Sequence, residues 1–532
     1  MTTSAPLRPS LAPYDRYPLQ KVLRRTASRL PNKIAVIDGE RRYTFKQLDE
    51  YSDRFAAGLA GLGIAKGDRV GILAPNCAEF VIAFYGIVKV GAVATTLNSG
   101  YREREIAHQL NDSGATVLIA HATLLPTVEL ARDAIPELSR VIPINETSDD
   151  PDSFWGVIER AGAAPPAVAI DPEDLAVLPY SSGTTGLSKG VMLTHFNVTA
   201  NIRQFIGRPD ESSVGREDDV ILVHLPLFHI YGMNVLMNPA IALGATQVMM
   251  GRFDMELFLD LLTRHRVTQV YSAPPVGLGL TQYPRVGEYD LTAVRFGFFG
   301  AAPMSAELQE RIQESVGFPI IQGYGLTEGS PLTNLDYVEP ERGRPGSVGP
   351  GAADTEEKVV DLETGTREVA AGEMGELLIR GPQVMKGYHN NAQATAETIT
   401  DDGWLHTGDI VRMDPDGYVW VLDRKKELIK YKGFQVPPAE LEGLMLEHPA
   451  VADAAVIGKP DVEAGEVPKA FVVRKQGAEV SGDDLMRFIA ERVATFKQIR
   501  DVEFVDAIPK NPSGKILRRV LIEQEREKAS SP

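Results

Sequence analysis

Apolar positions along the chain recur in two periods. Leu48, Ser52, Phe55, Leu59 and Leu62 fall near helical spacing behind Thr44 and Gln47, which read as a capping box, and Gly63 is placed to end that helix. Residues 69–73 (RVGIL) read as a strand, 80–90 as a mostly buried helix, and 92–96 as a second strand. Residues 117–120 (VLIA) add a strand after another helical segment. Strand–helix–strand order predicts a parallel sheet with helices on its faces. Residues 145–174, rich in Asp, Pro and Ala, are expected to form a surface loop or linker. Short apolar runs at 175–178, 191–193, 220–225, 270–272 and 295–300, and the alternating 375–381, continue the strand pattern.

The style changes near Asp423–Lys426. Beyond it, residues 454–457, 470–473 and a capped helix starting at Ser481 outline a compact unit of about one hundred residues, an ordinary domain size. The expectation is a large α/β N-terminal domain (1–422) of parallel or mixed sheets with flanking helices. A small α+β C-terminal domain (423–532) follows, joined by a hinge.

At 532 residues the chain is too long for one core, which agrees with two domains. The net charge of −17 argues against non-specific nucleic-acid binding but leaves room for a local anion site. A single cysteine, Cys77, rules out an internal disulfide and reads as a packed thiol at the start of an apolar helix. The nine histidines show no metal-ligand spacing, which argues against a zinc enzyme. No apolar run reaches the roughly eighteen residues of a membrane span. The N-terminus lacks an apolar leader and the C-terminus lacks SKL, so a cytoplasmic protein is expected. Oligomeric state is not legible, and a homodimer stays open.

Candidate chemistry concentrates in a few stretches. Ser181, Ser182, Gly183, Thr184, Thr185, Gly186, Lys189 and Gly190 form a loop of hydroxyls, glycines and one lysine between two apolar runs. Backbone N–H groups, hydroxyls and an ammonium suit phosphate. The loop is not a Walker A motif, since Lys189 is followed by Gly190 and has no glycine before it. His229 stands among Phe228, Ile230 and Tyr231, where a histidine taken alone is more often a satisfied core or rim residue than a catalyst. Gly300, Ala301 and Ala302 let a flat base lie against the backbone. In Gln322-Gly323-Tyr324-Gly325-Leu326-Thr327-Glu328, an aromatic between glycines can stack on a purine. The hydroxyl and carboxylate that follow can reach a phosphate and its Mg²⁺, which is usually held by one carboxylate plus substrate phosphates. Asp409 closes a glycine-containing turn. Asp423-Arg424-Lys425-Lys426-Glu427 reads as a solvated charge run on composition alone, and Lys515 as a charge on an exposed loop.

Taken in order, these stretches resemble the signature motifs of the adenylate-forming superfamily (acyl-CoA synthetases, luciferases, peptide-synthetase adenylation domains). The likeness spans about residues 30–525, with at least five motifs in family order. The version here is most similar to bacterial acid–CoA ligases of the 4-coumarate–CoA ligase-like branch. The resemblance implies that a carboxylate and ATP give acyl-AMP and pyrophosphate, and that CoA then gives acyl-CoA and AMP. It implies ATP, Mg²⁺, CoA and a small carboxylic acid as ligands, with no nucleic acid and no membrane span.

By resemblance the 181–189 loop, Gly300, Ala301, Ala302, Gln322, Gly323, Tyr324, Gly325, Thr327, Asp409 and Arg424 bind ATP or AMP. Thr327 serves the α-phosphate, Asp409 and Arg424 the ribose, and Glu328 the Mg²⁺. His229, Ile230, Tyr231, Phe298, Phe299 and Gly323 border the acid pocket, and Lys426 is the hinge pivot. Lys515, Lys430, Gln435 and His229 are catalytic. Lys432, Gly433 and Phe434 bind CoA. Residues 226–233 lack the aspartate that amino-acid-activating relatives place there, so an aromatic (cinnamate- or coumarate-like) or fatty acid is expected. The bulk of Phe298–Phe299 is expected to shorten or redirect the pocket. Three alternatives stay open: an acyl-AMP ligase loading a carrier protein, a luciferase-like oxygenase, and a non-catalytic binding protein of this fold.

Overall fold

A computed structural model describes residues 8–530 except 146–149, 163, 166, 182–187, 208–214, 340, 433, 462 and 512–513. The helix Phe45–Gly61 forms as its sequence dictates. Thr44 Oγ1 accepts from Gln47 N–H at 3.2 Å and Gln47 Oε1 accepts from Thr44 N–H at 2.9 Å, and Gly63 follows the end at φ +91°. The helix Ala78–Lys89 is buried along its whole length. Burial forces its one lysine to be neutralised: Lys89 Nζ meets Asp49 and Asp53, each at 2.6 Å, and Ser52 at 2.9 Å.

The large domain holds three sheets among the described residues. The first is eight-stranded and runs Leu332–Leu335, Ile320–Gly325, Phe296–Phe299, Gln269–Ser272, Val220–Val223, Thr246–Met249, Ile34–Asp38, Arg41–Thr44. Its inner pairs are parallel and its two edges antiparallel. The second, also eight-stranded, is built around the parallel strands Val93–Thr96, Arg69–Leu73, Val117–His121 and Arg140–Ile144. The third is a four-stranded antiparallel sheet that ends on Leu405–Met413 and Val419–Arg424. The smaller unit is a mixed five-stranded sheet with helices Pro438–Glu447, Gly482–Ala490 and Arg518–Ser530. A large α/β domain followed by a small α+β one is thus what the chain forms.

Residues 145–174 are not the surface linker expected. They contain the helix Phe154–Arg160, which Ser153 caps by accepting from Gly156 N–H at 3.1 Å. Its Phe154 is fully buried with its ring centroid 4.6 Å from that of Phe55. Polar, proline-rich flanks outweigh a seven-residue amphipathic segment in any compositional reading.

The chain leaves the four-stranded sheet at Arg424 and enters the five-stranded one at Ile429. Lys426 lies exposed in the turn between them. Around this turn Asp423 Oδ2 accepts from Ala439 N–H at 2.8 Å, at the start of the helix Pro438–Glu447. Arg518 is paired with Glu427 of the turn and with Glu442 at 2.7 Å. Burial pushes the Glu442 carboxyl up to about 7 and that of Asp423 up to about 6, against the pull of Arg518.

Candidate active site

A first cluster begins where the 181–190 loop returns. Ser181 pairs with Lys189 and Tyr180 with Gly190 in antiparallel register, so both ends of the loop are fixed. Ser182, Gly183, Thr184 and Thr185 lie outside the described residues. The strand Lys189–Thr194 pairs on its other flank with Gly387–Tyr388. Glu328 sits in the turn Thr327–Gly329 that follows the strand Ile320–Gly325. Its Oε1 accepts from Ser181 Oγ at 2.9 Å and from Tyr388 Oη at 2.8 Å. Lys189 Nζ stands 4.5 Å from the centre of the Tyr388 ring. Tyr388 is absent from the sequence reading; no local pattern marks it, because its partners come from two remote segments.

A second cluster, around Asp409, is built on the four-stranded sheet. Asp409 is buried, and it accepts from Tyr324 Oη at 2.5 Å and pairs with Arg424 Nε at 3.1 Å across adjacent strands. The Asp409 charge raises the Arg424 guanidinium further above its ordinary value. Tyr324 thus carries a polar handle besides its ring. Below it, Glu376 receives His406 at 3.4 Å, Lys425 at 2.8 Å and Gly408 N–H at 3.2 Å. Burial would raise this carboxyl, and those partners bring it below its usual range instead. Glu376 and Lys425 are a second pair that the sequence reading lacks.

Asn76 anchors the approach to His229. Its side chain donates to the carbonyls of Val223 and Leu225, each at 3.0 Å, and accepts from Leu227 N–H at 2.8 Å. The segment then enters a π-helix, Gly232–Met237, a geometry frequent at functional sites. Tyr231 Oη donates toward the carbonyls of Phe298 at 3.2 Å and Ser272 at 3.3 Å. The Phe298 ring lies against the Gly323 backbone. A Cβ on Gly323 would fall 2.1 Å from Phe298 Cζ, so only glycine fits there.

Three expected site residues are turned elsewhere. Phe299 follows Phe298 on a strand, so it faces the opposite side, where it packs in the core that includes Phe258 and Ile312. Ile230 is buried in the main core rather than in the cluster that holds Tyr231 and Phe298. The Gln322 amide donates to Gln309 Oε1 at 2.9 Å and Met304 O at 3.2 Å, so its side chain is engaged away from Tyr324 and Asp409. Gly300, Ala301 and Ala302 form the turn after the Phe296–Phe299 strand, with Ala301 at φ +73°. Gly325 ends the next strand, and Thr327 opens the Glu328 turn.

Lys515 comes from the small domain. Its loop is closed by Asn511, whose side chain accepts from Lys515 N–H at 2.8 Å. Gly514, at φ +83°, would place a Cβ 2.9 Å from Pro275 Cγ of the large domain, so the two domains touch closely here. Burial, then the Arg424 charge, lowers the Lys515 amine to about 8, and Glu427 and Asp409 act in the opposite sense. Burial, then the Lys515 charge, lowers His229 to about 4. One amine therefore feels Arg424 and Asp409 on the four-stranded sheet, and His229 feels that amine.

Lys430, Lys432, Phe434 and Gln435 are not brought to this cleft. Lys430 and Gln435 pair across an exposed hairpin of the small domain, and Phe434 stacks on Phe496 at 4.6 Å. Gly433 lies outside the described residues. Among those residues no group of three or more His, Cys, Asp or Glu can hold a metal, and no helix is long and apolar enough to cross a membrane.

Two family descriptions match the chain: AMP-binding enzyme over residues 23–389 and AMP-binding enzyme C-terminal domain over 440–515. A 4-coumarate–CoA ligase of Pinus taeda is 41% identical over 520 residues, covering 96% of each chain. 4-Coumarate–CoA ligase 3 of Oryza sativa is 42% identical over 497 residues, covering 91% of this chain and 88% of its own. The crystal structure of the anthranilate–CoA ligase AuaEII with anthranoyl-AMP is similar, with a TM-score of 0.90 and 31% identity over 97% of this chain and 98% of that one.

Proposed function

This chain belongs to the AMP-binding enzyme family, and from that premise we infer an ATP-dependent acid–CoA ligase that acts on a hydroxycinnamate-like aromatic acid. The observation that carries this reading is the placement of Lys515, on a small-domain loop packed against Pro275 of the large domain and within the field of the Arg424–Asp409 pair and of His229. A carboxylate oxygen attacks the α-phosphorus of ATP, the bond to pyrophosphate breaks, and acyl-AMP forms. Charge builds on the α-phosphate oxygens as the carboxylate oxygen gives up its own to the new bond, and Lys515 sits where it can stabilise that charge and hold the incoming carboxylate. The CoA sulfur then attacks the acyl carbon, and the bond to AMP breaks.

The other roles follow from placement. Asp409, oriented by Tyr324 and Arg424, accepts the ribose hydroxyls. Tyr324 offers its ring to the adenine beside Gly300–Ala302, and Thr327 its hydroxyl to the α-phosphate. Glu328 fits Mg²⁺, because both bonds it accepts from described residues go to Oε1 and leave Oε2 for a cation. With few protein carboxylates at hand, such an ion is held mainly by substrate phosphates, whose charge it neutralises. His229, neutral near pH 7, and Tyr231 border the acid without an anion to repel it. The domains divide at Asp423, with Lys426 as pivot. Lys430, Gln435, Lys432 and Phe434 face solvent in this arrangement; after rotation Lys430 and Gln435 serve catalysis, and Lys432, Gly433 and Phe434 bind CoA. A cytoplasmic setting is part of the proposal.

The aromatic acid is supported by the 4-coumarate–CoA ligase relatives and by the aromatic wall of Tyr231 and Phe298. Phe298→Ala should open that wall. Its kcat/KM should shift about tenfold from 4-coumarate toward acids bulkier at the ring end, the scale of a modest pocket change. Its stability should fall by about 3 kcal/mol. An unchanged acid preference in the folded variant removes Phe298 from the pocket.

The reading is tested by incubating the full chain with MgATP, CoA and a panel of benzoate, cinnamates and short to long fatty acids, then analysing products by mass. The account expects acyl-CoA and AMP, with 4-coumarate among the best acids. Preference for a fatty acid corrects the substrate. Acyl-AMP that is never passed to CoA favours a carrier-protein loader, oxygen uptake favours an oxygenase, and no turnover with any acid favours a binding protein.

A further inference from the structure

The segment Gln383–His389 is stapled to both halves of the phosphate end. On one side Lys386 N–H donates to Met192 O at 2.9 Å and His389 N–H to Gly190 O at 2.8 Å, fixing the strand that closes the phosphate loop. On the other side Met385 N–H donates to Glu328 O at 2.8 Å, and Gln383 O accepts from Ser330 Oγ at 2.7 Å, fixing the Glu328 turn. Tyr388 is the side chain that reaches into the gap between them. It is 8% exposed, it donates to Glu328 Oε1 at 2.8 Å, and its ring faces Lys189 Nζ at 4.5 Å.

We propose that Tyr388 is a positioning residue for adenylate formation: its hydroxyl fixes the Glu328 carboxylate for Mg²⁺, and its ring holds Lys189 facing the phosphates. The first half rests on the reading of Glu328 as the metal carboxylate. Two hydroxyls on one oxygen pin the carboxylate plane and direct the other oxygen outward. The ring contact places Lys189 without neutralising it, because a cation over an aromatic face keeps its full charge for an incoming phosphate. The two functions sit on different parts of one side chain, so they can be separated by substitution. Tyr388→Phe removes only the hydroxyl, and Tyr388→Leu removes the ring as well.

The test is equilibrium binding of ATP to the full chain, without acid or CoA, as free Mg²⁺ is titrated. Binding of AMP without Mg²⁺ and the thermal midpoint are followed in parallel. For Tyr388→Phe the Mg²⁺ concentration at half-maximal ATP binding should rise about tenfold, the scale for removing an outer-shell partner of a metal ligand. AMP binding and the thermal midpoint should not move. Tyr388→Leu should also weaken ATP binding at saturating Mg²⁺. Glu328→Gln, run beside them, separates the two levels of the argument. If Glu328→Gln moves the Mg²⁺ curve and Tyr388→Phe does not, the positioning role is overturned and the Glu328 reading stands. If Glu328→Gln leaves the curve in place, the Glu328 reading falls and takes the hydroxyl's role with it. Equal losses of ATP and AMP binding in Tyr388→Phe, with no shift in the Mg²⁺ curve, assign the residue to packing alone.

Discussion

Lys515→Ala should slow acyl-adenylate formation by roughly two to three orders of magnitude, the loss typical of one preorganised charge partner at a transition state. Attack of CoA on supplied acyl-AMP should stay within about twofold of the unaltered enzyme, because that step breaks the bond at the acyl carbon and passes through no crowded, extra-charged α-phosphorus. The wild-type pH profile makes the same point without a substitution. Burial and the Arg424 charge bring the amine to about 8. It is charged below that value and neutral above it, so the adenylation rate should fall as pH rises through about 8. The thioester half-reaction should not share that limb. Equal losses in both half-reactions, or an adenylation rate flat from pH 7 to 10, would contradict the role given to Lys515.

Lys426→Pro should have the second largest effect, with the opposite signature. Lys426 is exposed in the turn where the backbone passes from one sheet to the other. Few contacts hold it, so it can absorb the φ/ψ change of a rotation. Proline fixes φ near −65° and restricts the residue before it, which removes that freedom. With the domains held as they stand here, Lys515 remains in place and pyrophosphate should be released at a near-normal rate. Thioester formation should drop by roughly two orders of magnitude, since Lys430 and Gln435 stay outside the cleft and lid or domain motion gates turnover. Stopped single turnovers followed for pyrophosphate and for acyl-CoA separate the two steps. Normal overall turnover would sink the rotation argument for this chain.

The sequence was most legible where a local rule decides the outcome. Thr44 and Gln47 cap a helix because both partners sit within one turn, and the buried helix after Cys77 is readable from unbroken apolar content. The contact of Tyr324, Asp409 and Arg424 is legible for a related reason: each lies in a dense motif, and the structure brings the three side chains together. Phe298 and Phe299 show the limit. Both were assigned to the acid pocket, yet strand alternation can give it only one of two neighbours, and which one depends on register with the strands beside it. Gln322 stands inside a nucleotide motif but spends its amide on Gln309 and Met304, which no local pattern announces. Tyr388 was missed because its meaning is wholly non-local: it lies 60 residues beyond Glu328 and acquires a role only when Gly387–Tyr388 pairs with Val191 and Met192. The helix Phe154–Arg160 was hidden by the composition of its flanks.

The central claim is a two-step reaction through acyl-AMP in the cleft that Lys515 completes. Acid-dependent exchange of labelled pyrophosphate into ATP, measured with 4-coumarate and no CoA, tests it most directly. The account predicts exchange that requires both acid and MgATP, proceeds without CoA, and is lost in Lys515→Ala. Exchange that appears only when CoA is present would contradict a free-standing first step, and exchange retained in Lys515→Ala would contradict the place given to the lysine.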